Sequence, residues 1–252
     1  MKKRRTSELM RSFWDSKARE NALYYVSSYR PYDEQDPEEF WKWGRILAER
    51  FLGESQIDFT GEETVLEIGC GIGRMTAYFS ERFRRVDGID VSPEMISQAE
   101  ENLAEYGNVG LHVGNGCDLS NFDDSSFDFV FSYITFQHIP DPRITAGYIR
   151  EAGRVLKTGG HFYFQVNNMP RSIRSVLRIR SRGATLLNKL RRREEREATA
   201  VTGPRDLDSP AWQGSRTTVP QIDQACIAGG LKILSLEGEG SQYLWIKAIK
   251  QP

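Results

Sequence analysis

The sequence predicts an α/β fold of seven strands, five of them parallel and alternating with helices, closed by a C-terminal antiparallel hairpin. Three observations predict it. Thr64 to Ile68 is a short apolar, β-rich run of the kind a buried parallel strand needs, and three alternating glycines follow it. Strand-like and helix-like stretches then alternate as far as Val166. Finally, Leu231 to Leu236 and Tyr243 to Ile249 are strand-like runs joined through Gly238-Glu239-Gly240, a link too short for a crossover, which makes them antiparallel.

A chain of 252 residues can build one sizeable α/β domain with appended segments. The net charge of -1 gives no global field toward nucleic acid or membrane. A hydrophobic fraction of 39% and a mean hydropathy of -0.53 fit a soluble globular chain, and no apolar run approaches a membrane span. Cys70, Cys117 and Cys226 form neither a disulfide framework nor a zinc spacing, and His112, His138 and His161 lack metal-ligand spacing. No metal is expected, and the cytoplasm is the default compartment. The basic start, Met1 to Arg5, has no apolar stretch after it and reads as a disordered tip rather than a signal sequence.

Residues from about Ser7 to Phe51 read as helical and form an N-terminal extension, residues 1–60, ahead of the main domain at 61–252. In the second helix Asp36 is the expected N-cap, with Pro37 at the first helical position and Glu38 and Glu39 in the first turn. The aromatic content of this extension reads either as packing on the domain or as a lid, with Trp14, Tyr24 or Tyr25 closing over a ligand.

The glycines Gly69, Gly71 and Gly73 lie between a strand and a helix N-terminus, where backbone N–H groups and the helix dipole gather. A plain tight turn is the alternative. A dinucleotide fingerprint spaces its glycines G-x-G-x-x-G, whereas here the third comes one position early and Arg74 stands in the expected place. Glu67, two residues before the first glycine, would repel a pyrophosphate but suits a ligand carrying an ammonium group. The stretch Arg85 to Ser92 is a second strand that ends in Asp90, about 20 residues past the glycines, where a carboxylate can accept ribose hydroxyls. Ser92 and Pro93 open a helix, and Val91 and Met95 would be apolar walls for a purine.

Val109 to Val113 is the third strand, followed by loop chemistry at Gly114-Asn115-Gly116. A polar turn leads into the fourth strand, Phe127 to Tyr133, and Phe136-Gln137-His138-Ile139-Pro140 follows it. A helix from about Pro142 to Leu156 should stop at Lys157-Thr158-Gly159-Gly160, with His161 to Val166 as the fifth strand. The segment at about 169–216 departs from a minimal domain: it carries Arg171, Arg174, Arg178, Arg180, Arg182 and the run Arg191 to Arg193, among interleaved apolar residues. It reads as a basic helical insertion, either a solvated face, a phosphate-binding surface or a roof over a pocket that Trp212 and Arg216 could face.

E-x-G-x-G-x-G at Glu67 to Gly73 resembles the first motif of class I S-adenosylmethionine-dependent methyltransferases, and S-F-D-x-V-x-S with Gln137-His138 resembles the fourth strand and substrate-side loop of the same group. The L-K-x-G-G-x-F junction at Leu156 to Phe162 is similar as well, so the resemblance covers about Glu62 to Asn168. It implies a Rossmann-like seven-stranded methyltransferase sheet, S-adenosylmethionine as cofactor and a small-molecule methyl acceptor. It further implies that Glu67 helps place the amino-acid end of the cofactor, Asp90 holds the ribose, and Val91 and Met95 flank the adenine. Asn115 and Gly116 would read the adenine edge, and backbone near Ser132 and Tyr133 would complete the methionine-side pocket. His138 is the candidate base, against the alternative of a histidine that fixes its loop, and Gln137 could orient an acceptor. No Asn-Pro-Pro-Tyr tetrad is present, which lowers the expectation of a DNA or protein-glutamine target. An NAD(P) oxidoreductase, an RNA methyltransferase using the Arg-rich insertion and a non-catalytic cofactor-binding protein are the competing readings.

Overall fold

The computed structural model describes residues 2–170 and 204–252. One seven-stranded sheet has the order β3-β2-β1-β4-β5-β7-β6. Its strands are β1 (Thr64–Ile68), β2 (Arg85–Asp90), β3 (Val109–Val113), β4 (Phe127–Ser132), β5 (Leu156–Val166), β6 (Leu231–Glu237) and β7 (Leu244–Lys250). β1 to β5 pair in parallel, and β7 runs antiparallel to both β5 and β6. The chain therefore winds outward from β1 in one direction and restarts beside it with β4. That switch point opens a crevice at the carboxyl ends of β1 and β4, the place where open α/β sheets bind ligands.

Helices cover both faces: α1 (Lys2–Val26), α2 (Pro37–Ser55), α3 (Arg74–Arg82), α4 (Pro93–Asn102), α5 (Pro142–Val155), α6 (Pro210–Gln213) and α7 (Val219–Ala228). Strand alternation sends Leu66, Ile68 and Val130 into one core with residues of α5 and α7, while Val65, Phe129 and Phe131 face α2 and α3. Met10 and Phe13 of α1 belong to the first of these cores, so the N-terminal extension and the sheet share buried surface. Asp36 caps α2 as its residue type dictates, accepting from the backbone of Glu38 and Glu39.

Several expectations are corrected. The basic start is not a disordered tip, because α1 is already helical at Lys2. α1 is also not continuous. Asn21 leaves helical geometry (φ -169°, ψ 81°), its amide donating to the Tyr32 carbonyl and accepting from Tyr24 N, so it caps a restarted turn that aims Tyr25 and Val26 at the crevice. α5 ends at Val155, and β5 begins at Leu156 rather than His161, with a register shift that places Gly159 (φ +80°) in an irregularity opposite β4. Lys157 is thus no helix-terminal cation; it bonds both oxygens of Asp128 at 2.9 and 2.7 Å. The Arg-rich run from Arg171 to Arg193 lies outside the described residues.

Candidate active site

The glycine loop leaves β1 with Gly69 at φ +79° and Gly71 at φ +55°, conformations that L side chains rarely adopt. At Gly69 the need is also steric: a Cβ would lie 2.0 Å from Oγ1 of Thr135, in the turn after β4. The two loops at the switch point meet there, and the Thr135 hydroxyl donates to the Ile68 carbonyl at 3.1 Å. Gly73 has a different task. Its Cα packs against Leu103 and Ala99, where a Cβ would come within 2.6 Å of Leu103, and it does not line the cavity. The third glycine seats helix on helix rather than backbone on ligand.

An inner cavity opens between this loop, the end of β2 and α1, and it brings together most of the residues read from the sequence: Glu67, Gly69, Gly71, Asp90, Val91, Met95, Gly116 and Tyr133. Asp90 accepts from Gly71 N at 3.1 Å and Ser92 N at 2.9 Å, which fixes its carboxylate at the cavity wall. Burial pushes its pKa up, opposed by those backbone hydrogen bonds. Glu67 is buried, and Thr76 Oγ1 donates to it at 2.6 Å. Burial raises its pKa to about 8, against the Thr76 hydrogen bond and the nearby Arg74 charge, so the group is largely protonated at neutral pH.

Two expected residues are placed elsewhere. The Asn115 side chain is exposed and closes its own turn, accepting from the backbone N–H of Cys117 and Asp118 and donating to Asp118 and Ser120; it does not line the cavity. Gly-Asn-Gly is strong turn chemistry, and local Asx bonding outcompetes a distant ligand contact for the amide. Ser132 is fully buried and donates to the Ile68 carbonyl at 2.9 Å, tying β4 to β1 behind the cavity.

The inner cavity adjoins an outer chamber of about 480 Å³, within the usual size range of small-molecule sites. Tyr25, Arg74, Tyr133 and His138 border both spaces; Gln137, Trp212, Gln242 and Tyr243 line the outer one alone. Nδ1 of His138 lies 2.6 Å from the Trp212 carbonyl, an atom that can only accept, so that nitrogen carries the proton. An amide relay sets the other side of the ring. Gln165 accepts from Ile134 N, and its Nε2 and that of Gln242 both reach Gln137 Oε1 at 3.3 Å. Gln137 is left to donate through Nε2 toward His138 Nε2, 3.3 Å away. Gln137 therefore orients His138, not a ligand in the inner cavity. Trp14 and Trp212 contact the imidazole with ring centroids at 5.3 and 5.0 Å. Arg216 does not border the chamber; its Nε donates to the Asn168 carbonyl.

Of the residues that the lid reading named, Trp14 and Tyr25 of α1 line the cavity and Tyr24 does not; α1 also supplies Met10, which the sequence did not single out, and bonds the opposite rim. Ser7 Oγ donates to the Asn115 carbonyl, and Asp15 accepts from Ser92 Oγ at 2.9 Å and Glu94 N at 3.0 Å, sharing the capping of α4. Burial opposes the charge on Asp15, but those donors and Arg19 outweigh it and hold its carboxyl low. Lys17, 1% exposed, reaches Glu20 at 2.6 Å and Asp206 at 3.1 Å and so joins α1 to the segment before α6. Ile134 was also missed. It holds φ +65°, costly for a β-branched residue, and lines both spaces. Only Arg74 carried a signal in the sequence: a cation in the first turn of α3 opposes the helix dipole.

Residues 66–164, from β1 through β5, match the family described as a methyltransferase domain. This match and the curated relatives support a class I S-adenosylmethionine-dependent methyltransferase domain over that stretch. The chain is 34% identical over 101 residues to a demethylmenaquinone methyltransferase of Tropheryma whipplei, covering 40% of each chain. It is 28% identical over 168 residues to a ubiquinone biosynthesis O-methyltransferase of Nitrosomonas europaea, covering 66% of this chain and 62% of that one. The chain thus spans 40% to 62% of the length of these curated relatives. The geranyl diphosphate C-methyltransferase of Streptomyces coelicolor shares its fold, with a TM-score of 0.62 over 97% of both chains at 16% identity. No helix among the described residues is long and apolar enough to cross a membrane.

Proposed function

We propose that this methyltransferase moves a methyl group from S-adenosylmethionine to a small molecule held in the outer chamber. The observation that carries the reading is the inner cavity, where the glycine loop, Glu67 and Asp90 meet at the switch point and open directly onto that chamber. The residues present fit the cofactor. Asp90 keeps oxygen lone pairs beyond those its backbone donors use, suiting a ribose diol, and Val91 and Met95 offer apolar walls for adenine. Gly116, at φ +75°, lines the cavity beside Val91, where a Cβ would come within 2.9 Å of the Val91 side chain. Gly69 and Gly71 let the chain approach the amino-acid end, near Glu67.

The cofactor, when bound, supplies a methyl group already activated on a sulfonium sulfur. The protein's part is then mainly positioning. Residues 1–60 act as a cap in this reading, with Trp14 and Tyr25 excluding water from the junction of the two spaces. His138 borders the chamber with its proton on Nδ1; its Nε2 receives the long 3.3 Å hydrogen bond from Gln137, and an acceptor that displaces that contact could pass its proton there. The outer chamber offers aromatic and amide side chains, suiting a flat, polar small molecule. Relatives bear names as different as ubiquinone biosynthesis O-methyltransferase and phosphoethanolamine N-methyltransferase, which do not select the acceptor atom here.

Calorimetric titration with S-adenosylmethionine, S-adenosylhomocysteine and NADH tests the cofactor half. Micromolar binding of the two sulfur ligands is expected, and NADH binding without them would overturn it. An acceptor screen read by S-adenosylhomocysteine release tests the other half.

A further inference from the structure

We propose that Arg74 is the anchor for the α-carboxylate at the methionine end of the cofactor, an assignment that rests on the S-adenosylmethionine reading above. Its side chain is 4% exposed and borders the inner cavity, and neither Nε nor Nη1 has a hydrogen-bond partner among the described residues. A guanidinium does not escape this by losing its proton, and an unpaired buried charge is strongly disfavoured. The Phe40 ring lies 5.2 Å from Cζ, but a ring face attracts the cation without engaging the N–H edge. Among the described residues these donors have no acceptor, which leaves them open to one that a ligand supplies.

Three features identify that acceptor as a carboxylate with an ammonium beside it. Glu67 lines the same cavity, yet its carboxyl is hydrogen-bonded by Thr76; Arg74 influences it through its charge without a direct ion pair among the described residues. A buried cation and a buried acid on one cavity that are not joined by a hydrogen bond complement the two ends of a zwitterion. Arg74 also opens α3, a helix of nine residues whose first N–H groups and dipole favour an anion at the same end. Lastly, the protein is shaped around this pose. Gly44, buried within α2, would place a Cβ 2.3 Å from Cγ of Arg74, so the helix gives up a side chain where the arginine stem passes.

The experiment compares S-adenosylhomocysteine with 5′-methylthioadenosine, which keeps the adenosine and thioether but lacks the amino-acid end. Calorimetry on Arg74→Met should show S-adenosylhomocysteine weakened by about 10- to 100-fold, the range of a lost charge-assisted hydrogen bond, with 5′-methylthioadenosine within about threefold of wild type. Arg74→Lys, which keeps the charge but not the fork, should recover part of the loss. Gly44→Ala, which displaces the side chain without changing it, should reproduce the selectivity if Arg74→Met folds poorly. Equal losses for both ligands, or none for either, would overturn the assignment while leaving the cofactor reading intact. An acidic acceptor as the true partner of Arg74 would appear as unchanged S-adenosylhomocysteine affinity and likewise overturn it. Wild-type protein that binds neither ligand would instead remove the cofactor reading itself.

Discussion

The inner cavity and the outer chamber share a wall but are built on opposite principles. The inner one gathers ionisable groups, Glu67, Asp90 and Arg74, around a glycine loop; much of its wall comes from the chain between β1 and the end of β2, and α1, α4 and the turns after β3 and β4 add to it. Apart from Arg74 on the shared wall, the outer one is lined by neutral side chains and is assembled from α1, the turn after β4, the end of β5, α6 and the loop before β7. A cofactor of constant shape can be met by a contiguous motif. An acceptor pocket drawn from five separate segments can change by altering any of them, which explains how one fold serves many acceptors.

The largest expected effect breaks the inner cavity alone. Asp90→Ala should weaken S-adenosylhomocysteine by about 100-fold or more, because two charge-assisted hydrogen bonds to ribose would go and Gly71 N and Ser92 N would lose their acceptor. Calorimetry reads this directly, and an affinity within tenfold of wild type would remove Asp90 from the site. Gly69→Ala comes next. A Cβ 2.0 Å from Thr135 at φ +79° should cost about 2 kcal/mol or more of stability, seen as a lower denaturation midpoint together with lost cofactor binding.

A third prediction concerns protons. With a pKa near 8, Glu67 binds a proton in the folded protein that it would not hold in the unfolded chain between about pH 4.5 and 8. Stability should therefore decline as pH rises through that window, and Glu67→Gln should flatten the slope. If the cofactor's ammonium ionises Glu67, binding at pH 7 should release protons, measurable as a heat difference between phosphate and Tris buffers. Equal heats in the two would contradict that pairing. The smallest effect sharpens the contrast from the other side. Trp212→Ala should leave S-adenosylhomocysteine affinity within about threefold while disturbing the outer chamber and His138, whose Nδ1 bonds the Trp212 backbone. A tenfold loss of cofactor affinity would show that the two spaces are not separable.

The same division governs what could be read from the residues alone. Asp90, Val91, Met95 and Glu67 meet around one cavity because each sits at a fixed distance along the chain from the glycine loop, and local strand–turn–helix geometry turns that spacing into position. Gly73 and the Asn115 side chain lie off that cavity for a shared reason: their residue types suit a ligand, but equally suit helix packing and a self-closing turn, and only the neighbours choose. Gln137, expected to orient an acceptor, lines the outer chamber, but its carbonyl oxygen takes the amides of Gln165 and Gln242, 28 and 105 residues away, and its Nε2 reaches His138, contacts that no local pattern announces.

By itself, then, the sequence determined the seven-stranded α/β fold and which residues gather at the end of β1 and β2, because hydrophobic period, turn residues and motif spacing are properties of contiguous chain. Tertiary structure decided the rest. That α1 walls the cavity, that Lys17 joins it to Asp206 across 189 residues, and that Arg74 is buried without a partner all depend on which distant surfaces come together. The physical reason is that burial and hydrogen-bond partnership belong to a three-dimensional neighbourhood, and no local period in the chain encodes it.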